Sequence, residues 1–224
     1  MKKNIFLSLL FLLSAVRVFP QTIDHPNYGL KSHETLEIES LVLTASSTTF
    51  FMVIENRSLD GSFCADKKIF LQLPDGNRLK IQEATGIPRC PDSYIFKRFG
   101  EKLYFSLSFP AIPDNTDWLD LVEDCENACF SFNTVILNTD LNQKIDHAYA
   151  LVDLGNFLEA HKEFEAMLLD FQSNNSSYTG AIYWNLVTLS RNLGDDSKAN
   201  EWLDTLINSE IPLKEKYISS LKKD

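Results

Sequence analysis

The residues of this sequence best suited to chemistry are its four cysteines, Cys64, Cys90, Cys125 and Cys129. Four thiols can form two disulfides, bind zinc or act as nucleophiles, and they allow three disulfide pairings. A zinc site would want two close-spaced pairs, whereas only Cys125 and Cys129 are close in sequence. The choice among these chemistries therefore depends on the compartment in which the chain folds.

The N-terminus carries the pattern of a secretory leader. Lys2 and Lys3 precede an apolar run from Ile5 to Val16, which is shorter than the about 20 residues that a membrane-spanning helix needs. We therefore predict a signal peptide at residues 1–20 and an extracytoplasmic mature chain, either periplasmic or secreted. Arg17, close behind the apolar run, leaves an uncleaved membrane anchor as the alternative.

Export favours disulfides over zinc and over thiol catalysis. We predict the pairs Cys125–Cys129 and Cys64–Cys90. A spacing of four residues at a helix end places the two α-carbons about 6 Å apart, which is within disulfide reach. The second pair closes a longer, proline-containing loop. No metal site is predicted.

Other groups capable of catalysis lack supporting partners. The histidines are His25, His33, His147 and His161. They show no metal-ligand spacing, and no nucleophile elbow or phosphate-binding loop is present. The acidic residues of one cluster are Asp114, Asp117, Asp120, Glu123, Asp124 and Glu126. Because this cluster lacks the pattern of a calcium loop, we interpret it as a solvated helix face. We expect a non-enzymatic protein without a cofactor.

The charge of the chain limits its partners. The net charge is −10, and residues 1–20 contain three basic and no acidic residues, so the mature chain carries −13. A surface this acidic repels phosphate groups, which makes nucleic acid and anionic lipid poor partners. We expect an unidentified protein partner, no nucleic acid and no membrane contact after the leader is removed. The oligomeric state stays open.

From Thr35 to about Leu137 the apolar residues follow the period of β-strands, and we assign residues 21–138 to a β-sandwich domain. A phase slip at Ser40 predicts a bulge, the run Thr48–Glu55 predicts a central strand, and Pro74–Asn77 predicts a hairpin turn. About seven short strands separated by turn signals predict an antiparallel β-sandwich of immunoglobulin-like architecture. The cysteine and tryptophan spacing of antibody domains is absent, so this likeness concerns architecture alone.

One helix is expected to interrupt the strands. Asp117 can cap a short segment in which Trp118, Leu121, Val122 and Cys125 share one face at helical spacing. We predict that this helix crosses from one sheet of the sandwich to the other.

After Thr139 the apolar period changes to 3.6, which predicts a helical domain over residues 139–224. Gly155-Asn156 and Gly194-Asp195 separate the helices of two hairpins, and Ser173–Ser177 forms a polar loop between the hairpins. Pro212 begins a short closing helix. The predicted fold is therefore a multidomain α and β protein, with a sandwich followed by helical hairpins.

The two hairpins resemble tetratricopeptide repeats. Gly155–Ala160, followed by Phe164, carry the glycine, aromatic, alanine and later phenylalanine of that family. Gly194–Ala199, followed by Leu203, repeat the pattern 39 residues later, against about 34 in the family. Asp196 departs from the family by replacing the aromatic of the second turn. The resemblance implies two stacked helical hairpins.

The predicted binding surface is a stripe on the first helix of the second hairpin. Trp184, Thr188 and Arg191 share one face there. Tyr149 holds a matching position in the first hairpin, and the resemblance implies that these residues line a concave groove. Tryptophan, tyrosine and arginine together are the composition of a binding hot spot. The alternative is that they pack on the sandwich or on the closing helix, because two repeats alone bury little surface.

Two functions follow as hypotheses. The first is an exported, non-enzymatic interaction or scaffold protein whose helical repeats dock a protein partner. The alternative is a small-ligand or glycan-binding sandwich that presents Arg89 and Tyr94 near the rigid loop Ile87–Pro91. An enzyme of unrecognised type would need acidic or histidine groups from distant segments to converge.

Overall fold

Twelve β-strands precede five α-helices in the computed structural model, which describes residues 20–126, 128–171 and 176–222. The strands are β1 (Gln21–Asp24), β2 (Tyr28–Lys31), β3 (Leu36–Leu43), β4 (Ser47–Glu55), β5 (Ser62–Phe63), β6 (Ile69–Gln72), β7 (Arg78–Lys80), β8 (Glu83–Thr85), β9 (Tyr94–Ile95), β10 (Lys102–Pro110), β11 (Trp118–Glu123) and β12 (Ser131–Ile136). The helices are α1 (Thr139–Asp153), α2 (Phe157–Phe171), α3 (Tyr178–Asn192), α4 (Asp196–Ile207) and α5 (Lys214–Leu221). Apart from Pro20, the predicted signal peptide lies outside the described residues, as do residues 173–175 of the predicted polar loop.

The first sheet has five antiparallel strands in the order β1-β3-β4-β10-β8. β4 is central, as the sequence predicts, because it pairs with β3 on one side and with β10 on the other. The register between β3 and β4 skips Glu39, which confirms the bulge expected beside Ser40. The alternating apolar residues of β10 all face the core: Leu103, Phe105, Leu107 and Phe109.

The second sheet also has five antiparallel strands, in the order β2-β12-β11-β6-β7. β6 and β7 form the predicted hairpin, whose turn is closed by a hydrogen bond from Leu73 N to Asn77 O at 2.9 Å. The two sheets share one apolar core, to which the first contributes Phe50 and the second Leu71 and Phe132. β5 and β9 form a separate small sheet.

The segment after Asp117 is a strand, so the helix predicted there is wrong. β11 pairs with β12 on one side and with β6 on the other. Leu119 and Leu121 face the core between the sheets, while Trp118 on the opposite face packs against the helices. A strand that is covered on both faces carries apolar residues at odd and even positions alike. In this segment that pattern resembles the apolar spacing of a helix.

The acidic residues of β11 are not a solvated helix face, which corrects the second interpretation of this segment. Asp120 accepts a hydrogen bond from Thr134 N at 2.6 Å, and burial raises the pKa of its carboxyl group. Glu123 is buried at the end of the same strand. Asp120 is half-buried and holds the backbone of β12 in place, while Glu123 is removed from solvent.

The helices form two hairpins with matching turns. Gly155 and Gly194 both adopt a φ of +76°, the left-handed conformation that favours glycine after a helix. The residue after each glycine donates its N–H to a helix carbonyl, from Asn156 to Leu151 and from Asp195 to Ser190, both at 2.9 Å. The helix breaks thus lie where the sequence predicts them.

None of the helices in the described part of the chain is long and apolar enough to cross a bilayer.

The helical half packs on the outer face of the second sheet. Leu30, Trp118 and Ile136 of that sheet belong to the helical core. Polar contacts add to this junction, because Asn142 of α1 accepts a hydrogen bond from Asn27 N at 2.8 Å. Sheet and helices are therefore joined by a continuous apolar contact, with the second sheet shared between two cores.

Candidate functional site

The predicted stripe on α3 is contacted by α5 at both ends, while Arg191 stays exposed. A Cβ added at Gly180 would lie 2.5 Å from the ring of Tyr217, so the two helices touch at one end of the stripe. At the other end, Arg191 Nη1 donates to the Leu221 carbonyl at 3.2 Å. Trp184, between these points, is half-buried, and its indole Nε1 is buried without a hydrogen-bond partner in the described residues. Thr188 is also half-buried.

Tyr149 takes a different position from the rest of the predicted stripe. Its ring packs edge-on against Phe164 at 5.4 Å, and its hydroxyl accepts a hydrogen bond from Asn185 Nδ2 at 3.1 Å. The side chain is nevertheless 37% exposed. It borders a cleft of about 450 Å³ between the helices and the first strands, which we call the junction cleft. The cleft is lined by His25, Pro26, Asn27, Tyr28, Glu37, Ile38, Glu39 and Tyr149.

Hydrogen bonds fix the wall of the junction cleft. Tyr28 donates its hydroxyl to Glu37 Oε2 at 3.1 Å, and Lys31 pairs with Glu37 Oε1. Burial, together with the Glu37 carboxylate, raises the pKa of the Tyr28 phenol, which therefore remains a neutral donor. An exposed aromatic beside fixed polar groups suits non-covalent recognition.

A second concave region lies at the N-terminus of α1. Two adjoining cavities of about 260 and 710 Å³ both include Asp117, Asn138 and Asp140 in their walls. Asn138 caps α1 by accepting a hydrogen bond from Leu141 N at 3.1 Å. Its side chain and the Asp117 carboxylate are themselves hydrogen-bonded at 3.3 Å. These groups therefore serve first to fix the passage from β12 into α1.

The predicted disulfides are present. The α-carbons of Cys64 and Cys90 are 5.3 Å apart, and those of Cys125 and Cys129 are 5.5 Å apart. Although Cys125 lies in a loop rather than at a helix end, the short spacing still brings the two sulfurs together. Both disulfides suggest an oxidising, extracytoplasmic environment. Among the residues that the structure describes, no group of three or more His, Cys, Asp or Glu side chains could hold a metal ion.

Glu123 lies in the wall of a cleft of about 440 Å³ that both disulfides border. Its carboxylate accepts hydrogen bonds from Asp66 N at 2.8 Å and from Phe130 N at 3.2 Å. Burial raises the pKa of Glu123, while these two N–H donors oppose the shift. The buried carboxylate therefore joins the loops around the two disulfides.

The loop residues of the glycan hypothesis are used within the protein. Arg89 Nη1 donates to the Asp66 carbonyl at 2.9 Å. Tyr94 donates its hydroxyl to Glu101 Oε1 at 2.6 Å. The other Glu101 oxygen accepts the N–H of Lys97 at 2.7 Å, so this carboxylate fixes the following loop. Arg89 and Tyr94 are thus each engaged by a hydrogen bond within the protein.

One serine and one histidine do approach each other. His161 Nε2 lies 3.2 Å from Ser190 Oγ, and its Nδ1 lies 3.9 Å from Glu165. Nucleophilic catalysis needs a substrate at the serine oxygen. Ser190 is 1% exposed, between the helices. Burial also lowers the pKa of His161. The contact is therefore a hydrogen bond of the helical core, and it does not support hydrolytic chemistry.

Sequence reasoning identified Tyr149 but none of its neighbours in the junction cleft. Tyr28 and Glu37 come from the first strands, more than 100 residues before Tyr149. Neither residue is part of a motif, and only the long-range packing of both sheets and α1 brings them to Tyr149. No sequence signal of the kinds considered above could have located them.

Comparisons with protein-family models, with curated proteins and with solved structures each find no match to this chain. The function is therefore inferred from the geometry of the molecule itself.

Proposed function

We propose that this protein is an exported, non-enzymatic interaction protein, located in the periplasm or secreted. Its β half, an immunoglobulin-like sandwich in architecture, is a rigid platform braced by two disulfides. Its helical half, a tetratricopeptide-like pair of hairpins, docks a protein partner. The observation that carries the proposal is Tyr149, an exposed aromatic of the helical half, which lies in a cleft shared with the platform.

The repeated turns support the tetratricopeptide-like assignment. Ala160 and Ala199, which follow the two turn glycines by five residues, are both fully or nearly fully buried. Each donates its N–H to the first residue after the turn glycine at 3.0 Å. Small side chains at these positions allow the paired helices to approach closely. The same local geometry thus recurs in two hairpins of different sequence.

The docking surface we propose is the junction cleft rather than the whole predicted stripe. Because α5 touches α3 at Gly180 and at Arg191, a partner could reach Trp184 fully only by displacing α5. Tyr149 needs no such displacement. Tyrosine offers a large contact area with few rotatable bonds, which is the reason for its enrichment in hot spots.

Site-specific cross-linking tests this proposal. A photoreactive phenylalanine analogue in place of Tyr149, in the full chain expressed in its own envelope, should give one protein adduct of defined mass. The matched control places the analogue at Tyr104, which is 62% exposed on β10 of the first sheet. An excess of unlabelled protein should compete the adduct, whereas its Tyr149→Ala variant should compete poorly.

Absence of an adduct at position 149 would refute the proposal, as would the same adduct at both positions. The alternative function, binding of a small ligand or glycan by the sandwich, is not favoured at Arg89 or Tyr94. A cleft on the β6–β7 hairpin of the second sheet favours it, because lysine and arginine side chains line that cleft.

A further inference from the structure

Four cations line one open cleft on the β6–β7 hairpin. The cleft has a volume of about 370 Å³ and is bordered by Lys67, Lys68, Ile69, Phe70, Arg78, Lys80 and Asp124. The chain as a whole carries a net charge of −10. A single carboxylate, that of Asp124, faces four cations here, so the local balance is opposite to that of the molecule. We call this surface the basic face.

Arg78 is held in position from two sides. Its guanidinium carbon lies 4.4 Å from the centroid of the Phe70 ring, and its Nε donates to Gln72 Oε1 at 2.8 Å. Within the described residues the two terminal nitrogens of Arg78 have no hydrogen-bond partner. A stacked guanidinium with its terminal nitrogens unused is pre-organised to bind an anionic group through two parallel hydrogen bonds.

The lysines surround this guanidinium without being neutralised. Lys80 pairs with Phe70 across the hairpin and lies two residues from Arg78, on the same face of β7 at a distance of about 7 Å. Lys67, Lys68 and Lys80 form no ion pair with any described residue. Edge strands often carry lysine to prevent pairing with other chains. That explanation covers Lys80 but neither Lys67 and Lys68, which precede β6, nor the stacking of Arg78.

We propose that the basic face binds the carboxylate or sulfate groups of an acidic polysaccharide outside the cytoplasm. Arg78 binds one anionic group in bidentate fashion, the lysines bind the neighbouring groups as point charges, and the half-buried ring of Phe70 adds an apolar contact to the sugar. Charge complementarity selects a polyanion. The small open cleft selects a narrow chain over a folded protein, whose stable interfaces bury about 800 Å² on each partner.

This inference is independent of the docking function proposed for Tyr149, since it concerns a different sheet edge and needs no protein partner. Affinity electrophoresis of the purified mature chain in gels containing polygalacturonate or heparin tests it. The unmodified protein should be retarded at low salt, and retardation should weaken as salt is added. Arg78→Ala should weaken binding of the polysaccharide at least tenfold. Arg78→Lys should restore part of the lost affinity, because lysine keeps the positive charge but lacks the planar group that donates two parallel hydrogen bonds.

Arg98→Ala is the matched control, because Arg98 is an exposed arginine that lies in a loop outside the basic face. It should leave retardation unchanged. Arg78 and Arg98 are both exposed, so both variants should stay folded, with Arg78→Ala losing at most about 1 kcal/mol of stability from its stack on Phe70. Retardation by neither polysaccharide would overturn the proposal, and so would equal losses in the two variants. Stronger binding to polyglutamate than to either polysaccharide would also overturn it, since the ligand would then be an acidic protein segment.

Discussion

Replacing Gly180 with alanine tests how tightly α5 lies on α3. The new Cβ would lie 2.5 Å from Cδ2 and Cε2 of Tyr217 and 3.3 Å from its Cγ. These atoms belong to the body of a ring that is only 5% exposed, so the ring cannot simply swing out into solvent. The contact therefore has to be relieved by movement of α5 or of the ring against its other neighbours.

Two opposing effects set the magnitude. Alanine in place of glycine stabilises a helix by up to about 1 kcal/mol. Over-packing a filled interior costs about 1–3 kcal/mol. Complete release of α5 would expose Tyr217, Ile218 and Leu221, at about 1.5–3 kcal/mol each, so a shift of the docked helix is cheaper than release. We therefore expect Gly180→Ala to lower the free energy of unfolding by about 1 kcal/mol.

A double-mutant cycle separates the two effects. In a Tyr217→Ala background the ring is gone, so Gly180→Ala should raise the free energy of unfolding through helix propensity alone. Urea denaturation followed by circular dichroism gives the four values. Hydrogen exchange over residues 212–222 should be faster in Gly180→Ala than in the unmodified protein, whereas adding Gly180→Ala to Tyr217→Ala should not make it faster still. The same sign of effect in both backgrounds would refute the packing of Tyr217 on Gly180, and with it our placement of the α3 stripe.

Two further predictions concern the disulfides and pH. The disulfides close loops with sequence separations of 26 and 4 residues. Loop entropy predicts that replacing both cysteines of the longer loop by alanine lowers the free energy of unfolding by about 3.5 kcal/mol, against about 2 kcal/mol for the shorter loop. Equal losses of unfolding free energy in urea denaturation would contradict this. Burial lowers the pKa of His161 in the folded protein. As the pH falls through the ordinary histidine pKa of about 6.5, the unfolded chain therefore takes up a proton at this residue before the folded protein does. The free energy of unfolding should fall over that pH range. His161→Gln should fall less steeply, though His33, whose pKa is lowered in the same way, keeps part of the slope; an unchanged slope would refute the burial of a neutral His161.

The parts of the fold that the sequence predicted are those governed by local pattern. Over its nine residues β10 has one buried face and one more exposed face, so its alternation of apolar and polar residues could be recognised in the sequence. The turns at Gly155 and Gly194 were legible because a left-handed φ after a helix favours glycine. β11 was not legible, because the sandwich core covers one of its faces and the helices help to cover the other.

The sites were less predictable than the fold. The stripe of Trp184 and Arg191 had the right composition for a groove, but nothing in those residues reveals that α5 returns across them. The register of the β6–β7 hairpin pairs Phe70 with Lys80 and Gln72 with Arg78, so Arg78 and Phe70 are diagonal neighbours on one face, and their stack depends on the rotamer that Arg78 adopts. The junction cleft depends on long-range packing that one sequence does not encode in any local pattern.

The attachment of the helices to the second sheet has a consequence for handling the protein in pieces. A fragment ending at residue 138 would expose the apolar side chains of Trp118, Leu30 and Ile136 to water. An exposed apolar surface of this kind promotes aggregation. The fragment should therefore precipitate or need detergent, even with both disulfides intact. Anyone seeking crystals or binding partners would therefore do better to keep the polypeptide whole and to vary it by point changes.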